Sequence, residues 1–308
     1  MGEYSFYGMM NHTKSFCCEE VQDLFHYSKE VINTISSKDN STSLLEYQYL
    51  TFAAMLTYYG SKYQDLILDV FQNTRFQETD YNVYSTDEKN SATIYSSFTY
   101  PVITSFFPFL KKYFLPSNYV TIYIDPSIMN DAYHVLINCI HEVNHAINSS
   151  LIGSKFGHYL RYGVNFYNID TNQFSGRFLE EAFNSLQQEE IMDNILFFGS
   201  HFEIEDSLFS QLYHRIYDSY RNSDVEKKSY DLLTELLRPL YFCPDFYYVL
   251  NNGRLSGDIR SIIENFESTV GSGSWLELSQ SVDNLWLGRE NENRAQELIY
   301  RYTSRHER

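Results

Sequence analysis

The chain has 308 residues, 43% of them hydrophobic and 17% aromatic, enough to build a large core in one big domain or two modest ones. Its formal charge of −17 sets it against nucleic acid, because binding the phosphate backbone draws on Lys and Arg. No run of about twenty apolar residues is present to span a membrane, and the first ten residues lack the basic start and apolar stretch of a secretory leader. Cys17, Cys18, Cys139 and Cys243 form neither a disulfide framework nor a four-cysteine zinc site, so a reduced, cytoplasmic protein is expected. The abundant Tyr and Phe read as packing groups.

From the N-terminus, residues 18–36 read as an amphipathic helix with Val21, Leu24, Phe25, Val31, Ile32 and Ile35 in register. Residues 36–43 are turn-like, and a longer helical stretch follows over 44–71, broken at Gly60-Ser61. Residues 77–92 read as a polar loop. Over 96–117, Pro101, Pro108 and Pro116 interrupt any long helix. Tyr119 to Ile124 alternates, with Val120, Ile122 and Ile124 on one side, and predicts a strand. Asp125-Pro126 then reads as a helix start, with Asp as N-cap and Pro in the first turn of a helix reaching Asn148. A second strand is predicted over 160–167 and a loop over 168–176. Beyond Arg177 helices dominate, over 177–198, 205–222, 225–238, 256–268 and 290–305, with Gly271-Ser272-Gly273-Ser274 as a short flexible joint. The fold class expected is α+β, mostly α-helical, with a small β-sheet.

The helix over 126–148 carries two stripes. Ile128, Ala132, Val135, Leu136, Cys139, Ile140, Val143 and Ile147 form an apolar one, and His134, Asn138, His141, His145 and Asn148 a polar seam beside it. Within that seam His141-Glu142-Val143-Asn144-His145 spells H-E-x-x-H. Positions four apart lie on one helix face, so both imidazoles can reach a single metal ion, with the Glu142 carboxylate beside them. That is the core pattern of a zinc hydrolase. His134, one heptad earlier, reads as a supporting or packing group, and Cys139 as a small buried hydrophobe.

A catalytic zinc takes three protein ligands and leaves a position for water. A third His six residues after the second, as in metzincins, is excluded, because that position is Leu151 and the glycine of that pattern is Asn148. A Glu from a second helix is the other option. The segment Gly176-Arg177-Phe178-Leu179-Glu180-Glu181-Ala182-Phe183-Asn184-Ser185 opens a helix with two adjacent carboxylates. Here the chain resembles the gluzincin metallopeptidases, whose H-E-x-x-H is followed, after a variable gap, by a Glu at the start of another helix, usually with Ala or Gly next. By that resemblance Glu181 takes the ligand place, because Ala182 follows it, and Glu180 is the alternative. The likeness covers roughly residues 119–190. Gluzincins often carry a carboxylate four residues beyond the third ligand, bonded to the first His. This chain has Ser185 there, with Asn184 beside it; either can accept an imidazole N–H without bringing charge.

The resemblance implies a helical N-terminal region over 1–117 and a zincin-like catalytic region with a helical C-terminal part over 118–308. It implies Zn²⁺ held by His141, His145 and Glu181 with one water, and Glu142 as the base that takes the water proton and delivers it to the leaving amine. The substrate would be a peptide or protein, docked by strand pairing if 119–124 forms a sheet edge. His158, Tyr159 and Tyr162 are candidate oxyanion donors. The missing carboxylate keeps a zincin-fold binding protein without activity as an alternative. A zinc hydrolase of non-peptide substrates and a metal-free helical interaction protein are further readings.

Overall fold

The structure, a computed structural model, describes residues 27, 30, 44–78, 94–98, 120–124, 129–154, 157–168, 173–201, 207–222 and 231–306. The helix expected over 18–36 therefore falls almost wholly outside the described residues, as do most of 77–92 and 96–117. The rest is mostly helical with two small sheets, an α+β arrangement. The chain divides into two compact units. One comprises Met1–Ser97, Val120–Ile140 and Ile191–Asn222; the other comprises Phe98–Tyr119, His141–Glu190 and Ser223–Arg308. Among the described residues no helix is long and apolar enough to cross a membrane.

In the first unit, α1 (Leu45–Tyr59) is buried without interruption from Leu50 to Thr57, which makes it an internal helix and not a surface one. Thr51 and Thr57 satisfy their hydroxyls inside it by donating to the carbonyls of Tyr47 and Ala53, at 2.6 and 2.8 Å. The chain breaks at Gly60, where the sequence places a break, and continues through a 3₁₀ turn into α2 (Gln64–Gln72). Phe71 of α2 meets Phe52 of α1 edge-on at 4.7 Å. Three strands follow: β1 (Thr74–Glu78), β2 (Ile94–Phe98) and β3 (Val120–Ile124). Ile122 and Ile124 of β3 are fully buried, as the alternation requires. The sheet order, however, is β1-β3-β2, with β1 and β3 parallel. Among the described residues β3 is the central strand, flanked by β1 and β2, so the condition for peptide docking along 119–124, that it form a sheet edge, is not met.

Helix α3 (Ala132–Ile147) carries the H-E-x-x-H motif. It starts later than the sequence suggests. Asp131 Oδ1 accepts the His134 N–H at 3.0 Å and acts as its N-cap, whereas Asp125-Pro126 lies outside the described residues.

The second unit holds the end of α3 and an antiparallel sheet, β4 (Ser149–Ser154), β5 (Gly157–Tyr162), β6 (Asn165–Asn168) and β7 (Gln173–Ser175), in sequential order. The single strand expected over 160–167 is in fact a hairpin. Tyr162 pairs with Asn165, and Gly163, at φ 53, opens the two-residue turn between them. The loop expected over 168–176 contains β7. Strand β4, with its serines and little alternation, gives no period-2 signal.

Helix α4 (Arg177–His201) follows, and α5 (Ser207–Asn222) belongs to the first unit. The C-terminal helices are α6 (Asp231–Tyr241), α7 (Pro244–Ser256), α8 (Ile259–Val270), α9 (Ser274–Trp286) and α10 (Asn293–His306). Sequence periodicity leaves out α7 and α9. Helix α7 contains two Asn and Gly253, all poor helix formers, yet Gly253 is needed: a Cβ there would stand 2.7 Å from the Ile262 side chain of α8. Gly271 and Gly273 form a tight turn between α8 and α9, with both φ angles positive, where the sequence suggests a flexible joint.

These helices close one apolar core with Leu179, Ala182, Phe183 and Leu186 of α4. At its centre the Phe246 ring lies 5.5–6.2 Å from the rings of Phe183, Phe266, Trp275 and Tyr302. Phe246→Ala is expected to cost about 3–5 kcal/mol of stability by leaving a cavity among four aromatic rings. Urea titration reads this as a lower midpoint at unchanged slope, and a loss below about 1 kcal/mol would contradict the central placement of this ring.

Candidate metal centre

Helix α3 presents His141 and His145 one turn apart, their rings edge-to-face with centroids at 4.7 Å. Helix α4 brings Glu181 to them. The Glu181 Oε2 atom lies 3.1 Å from His141 Nε2 and 3.3 Å from His145 Nε2, and the two Nε2 atoms are 3.1 Å apart. Among the described residues this is the one group of three or more His, Cys, Asp or Glu side chains able to hold a metal ion, all three ligand atoms falling within 4.8 Å of one another. The site is sheltered: each imidazole is 12% exposed and Glu181 19%.

The donor set suits a divalent cation. Tetrahedral zinc with bonds of about 2.0–2.2 Å keeps its ligand atoms about 3.3–3.6 Å apart, close to the triangle seen here. Two imidazole nitrogens 3.1 Å apart cannot both aim lone pairs at one another without a positive charge between them. His141 Nδ1 meets Gln188 Oε1 at 2.9 Å. Since an amide oxygen only accepts, Nδ1 carries the proton and the Nε2 lone pair of the neutral ring is free for a ligand.

Gln188 was not legible as a site residue. The gluzincin pattern directs attention to Ser185 and Asn184, four and three residues beyond Glu181. Ser185 is buried. Asn184 is turned to other work: its amide donates to the His141 carbonyl at 3.0 Å, and its oxygen accepts from Asn144 at 2.6 Å. The imidazole partner lies two turns along α4 from Glu181, at i+7, which is the same helix face.

The two candidate carboxylates part company clearly. Glu181 faces the imidazoles. Glu180 is 1% exposed and is not among the three clustered ligand atoms: its Oε2 accepts the Val164 N–H at 2.7 Å, its Oε1 accepts from Arg254 Nη2 at 2.5 Å, and the same Oε1 stands 3.8 Å from His145 Nδ1, on the side of the ring away from Glu181. Arg254 itself is fully buried and also donates to Gln187 Oε1 at 2.5 Å and Asn184 Oδ1 at 3.3 Å. Arg161, likewise buried, donates to the carbonyls of Gly163 and Arg254. Burial lowers its pKa to about 10, which still leaves it a cation at neutral pH. These arginines sit far from the motif in sequence and carried no signal there.

Of the other predicted residues, Glu142 is partly buried and close enough for its charge to act on His141. His134 is exposed and not in the cluster. Cys139 is buried. Tyr162 is partly buried on β5; the side chains of His158 and Tyr159 lie outside the described parts of that strand.

Electrostatics tie the cluster together. Burial works to lower the His141 pKa, but the hydrogen bond and charge of Glu181 overcome it and raise the value from 6.5 to about 9. Burial works to raise that of Glu181, but His145 and His141 hold it well below the usual carboxylate range. Both shifts describe one buried contact and are not additive. A raised histidine contributes stability fully present below about pH 6.5 and lost as pH climbs through about 9. A depressed carboxylate contributes stability present above its ordinary pKa of 4.5 and lost as pH falls below it. Metal-free protein is therefore expected to lose stability, on the order of 3 kcal/mol, between pH 6.5 and 9.5. Denaturant titrations in chelator should show this loss, and His141→Gln should remove it; an unchanged slope with pH in that variant would place the titrating group elsewhere.

Comparison of the chain with protein-family models, with curated proteins and with solved structures finds no match.

Proposed function

We propose that this protein is a zinc-dependent metallopeptidase of gluzincin type. The observation that carries the reading is the meeting of Glu181, from α4, with both imidazoles of the H-E-x-x-H helix α3. His141, His145 and Glu181 would hold the ion through two imidazole nitrogens and one carboxylate oxygen, the donor set used by catalytic zinc. Bound zinc would supply the Lewis acidity that makes water a nucleophile near neutral pH. Glu142, one residue after the first ligand, would take the proton of the attacking water and return it to the leaving amine. Gln188 would hold the His141 ring through Nδ1, so that Nε2 stays on the site. The peptide bond as substrate follows from the resemblance.

A second reading has an observation of its own. The partner of His141 is a neutral amide where gluzincins often place a carboxylate, which makes the ligand less basic. A zinc-binding protein of this fold without hydrolysis is consistent with that.

Two variants separate these readings. Purified protein is expected to carry about one equivalent of zinc, and His141→Ala or Glu181→Ala to carry less than a tenth of that. Glu142→Gln is expected to keep its zinc and lose cleavage of a mixed peptide library by at least a hundredfold. Zinc content below half an equivalent in the unmutated protein overturns the metal reading. Full zinc with no cleavage by the unmutated protein, across the library, selects the binding protein.

A further inference from the structure

The second ring of the pair has a partner of a different kind. His145 Nδ1 is buried and has no hydrogen-bond partner among the described residues, and Glu180 Oε1 stands 3.8 Å from it. Buried polar atoms in folded proteins nearly always find a partner. We propose that Glu180 is a positioning residue: its carboxylate receives the Nδ1–H of His145 and fixes that ring with Nε2 toward the metal. The inference rests on the reading of His141, His145 and Glu181 as a metal site.

Three features make Glu180 suited to this. Its position is set by rigid neighbours. Val164 N–H holds Oε2, and the turn at Gly163 lies so close that a Cβ there would come within 1.9 Å of the same oxygen. Its charge is fixed from behind by Arg254, itself anchored to Gln187 and Asn184. Its Oε1 retains acceptor capacity, since a carboxylate oxygen can take two donors. Ligation at Nε2 leaves the proton of a neutral imidazole on Nδ1. Closing the gap from 3.8 Å to an ordinary hydrogen bond takes a shift of about 1 Å. The two ligands are then oriented differently, His141 by a neutral amide and His145 by a buried carboxylate. The adjacent acids Glu180 and Glu181 thus divide the labour, one behind the ring and one on the metal. Glu180 also neutralises Arg254, a role that alone would not orient His145.

The test uses full-length zinc-loaded protein with ¹⁵N-labelled histidine. In the unmutated protein the His145 Nδ1–H is expected as a slowly exchanging, downfield proton, separated from that of His141 by its persistence in Gln188→Ala. Glu180→Gln is expected to move the His145 signal upfield and to weaken zinc about 10- to 100-fold in chelator competition, with the His141 signal in place. Because that change leaves Arg254 without its anion, the paired variant Glu180→Gln/Arg254→Met is measured beside it. A loss of affinity and a moved His145 signal in either folded variant support the inference. Zinc affinity within twofold of the parent and an unmoved His145 signal in a folded variant overturn it, and leave Glu180 as the partner of Arg254 alone. Should neither variant fold, a His145 Nδ1–H in fast exchange with water in the unmutated protein overturns it, and a protected one supports it. Failure of the unmutated protein to take up zinc is a separate result, which removes the metal reading itself and this inference with it.

Discussion

The candidate metal centre depends on one interface, the polar contact between α3 and α4. Asn144 uses both amide hydrogens across it, one on Asn184 Oδ1 at 2.6 Å and one on Gln187 Oε1 at 2.8 Å, while Asn184 returns a bond to the His141 carbonyl. Two helices packed through apolar side chains alone can slide or roll with little penalty. Directional amide bonds cannot, because a small rotation leaves buried donors unpaired. Glu181 therefore meets the imidazoles in a fixed register. The opposite face of α4, with Leu179, Ala182, Phe183 and Leu186, is apolar and joins the C-terminal core. One helix thus separates two duties: stability on one side, orientation on the other.

The C-terminal helices contribute more than a core. Asp283 of α9 accepts the Phe178 N–H at 3.2 Å and so caps the first turn of α4, directly ahead of the two glutamates. Arg254 of α7 holds Glu180 and Gln187, and Asn251 of the same helix accepts from Gln187 at 3.2 Å. Farther along α4, Arg238 of α6 pairs with Glu189, and Tyr241 donates to Glu190. Helices far downstream in sequence thereby set the rotation and start of α4, and through it the place of Glu181. A truncation after α4 would leave the ligand residues in the sequence and remove what orients them.

How much of this can be read from the chain alone follows from the range of each interaction. The motif on α3 is legible because an i, i+4 pair is fixed by helix geometry, and the acidic pair at the start of α4 because it is a local pattern; Glu181 as the ligand of that pair is what the resemblance to gluzincins implies. The choice between Glu180 and Glu181 turns on Arg254 and Val164, and only the fold brings these together. Gln188 escaped notice because the gluzincin pattern points four residues beyond Glu181 and the structure uses seven. Strand β3 shows the same limit. Its alternation predicts a strand correctly, but whether a strand is central or at an edge depends on β1 and β2. The hairpin at Gly163 was hidden in a run that alternates on either side of the turn. Helices α7 and α9 were missed because tertiary packing holds them where local propensity is weak.

Charge explains why the cluster holds together even without an ion. Three acids, Glu142, Glu180 and Glu181, surround two imidazoles in a chain whose formal charge is already −17. A buried carboxylate in such surroundings is costly unless something positive answers it. Glu180 is answered permanently by Arg254. Among the described residues, the groups that hold the Glu181 pKa down are His145 and His141, and the rise of His141 to about 9 is the other side of that contact. With its pKa raised to about 9, His141 is protonated at neutral pH and its charge answers that of Glu181. A divalent cation held by His141, His145 and Glu181 would bring more charge to the same three atoms than a proton does, and its binding would displace that proton. The geometry that makes protonation favourable here would also suit a metal ion, and the two would compete for one set of lone pairs.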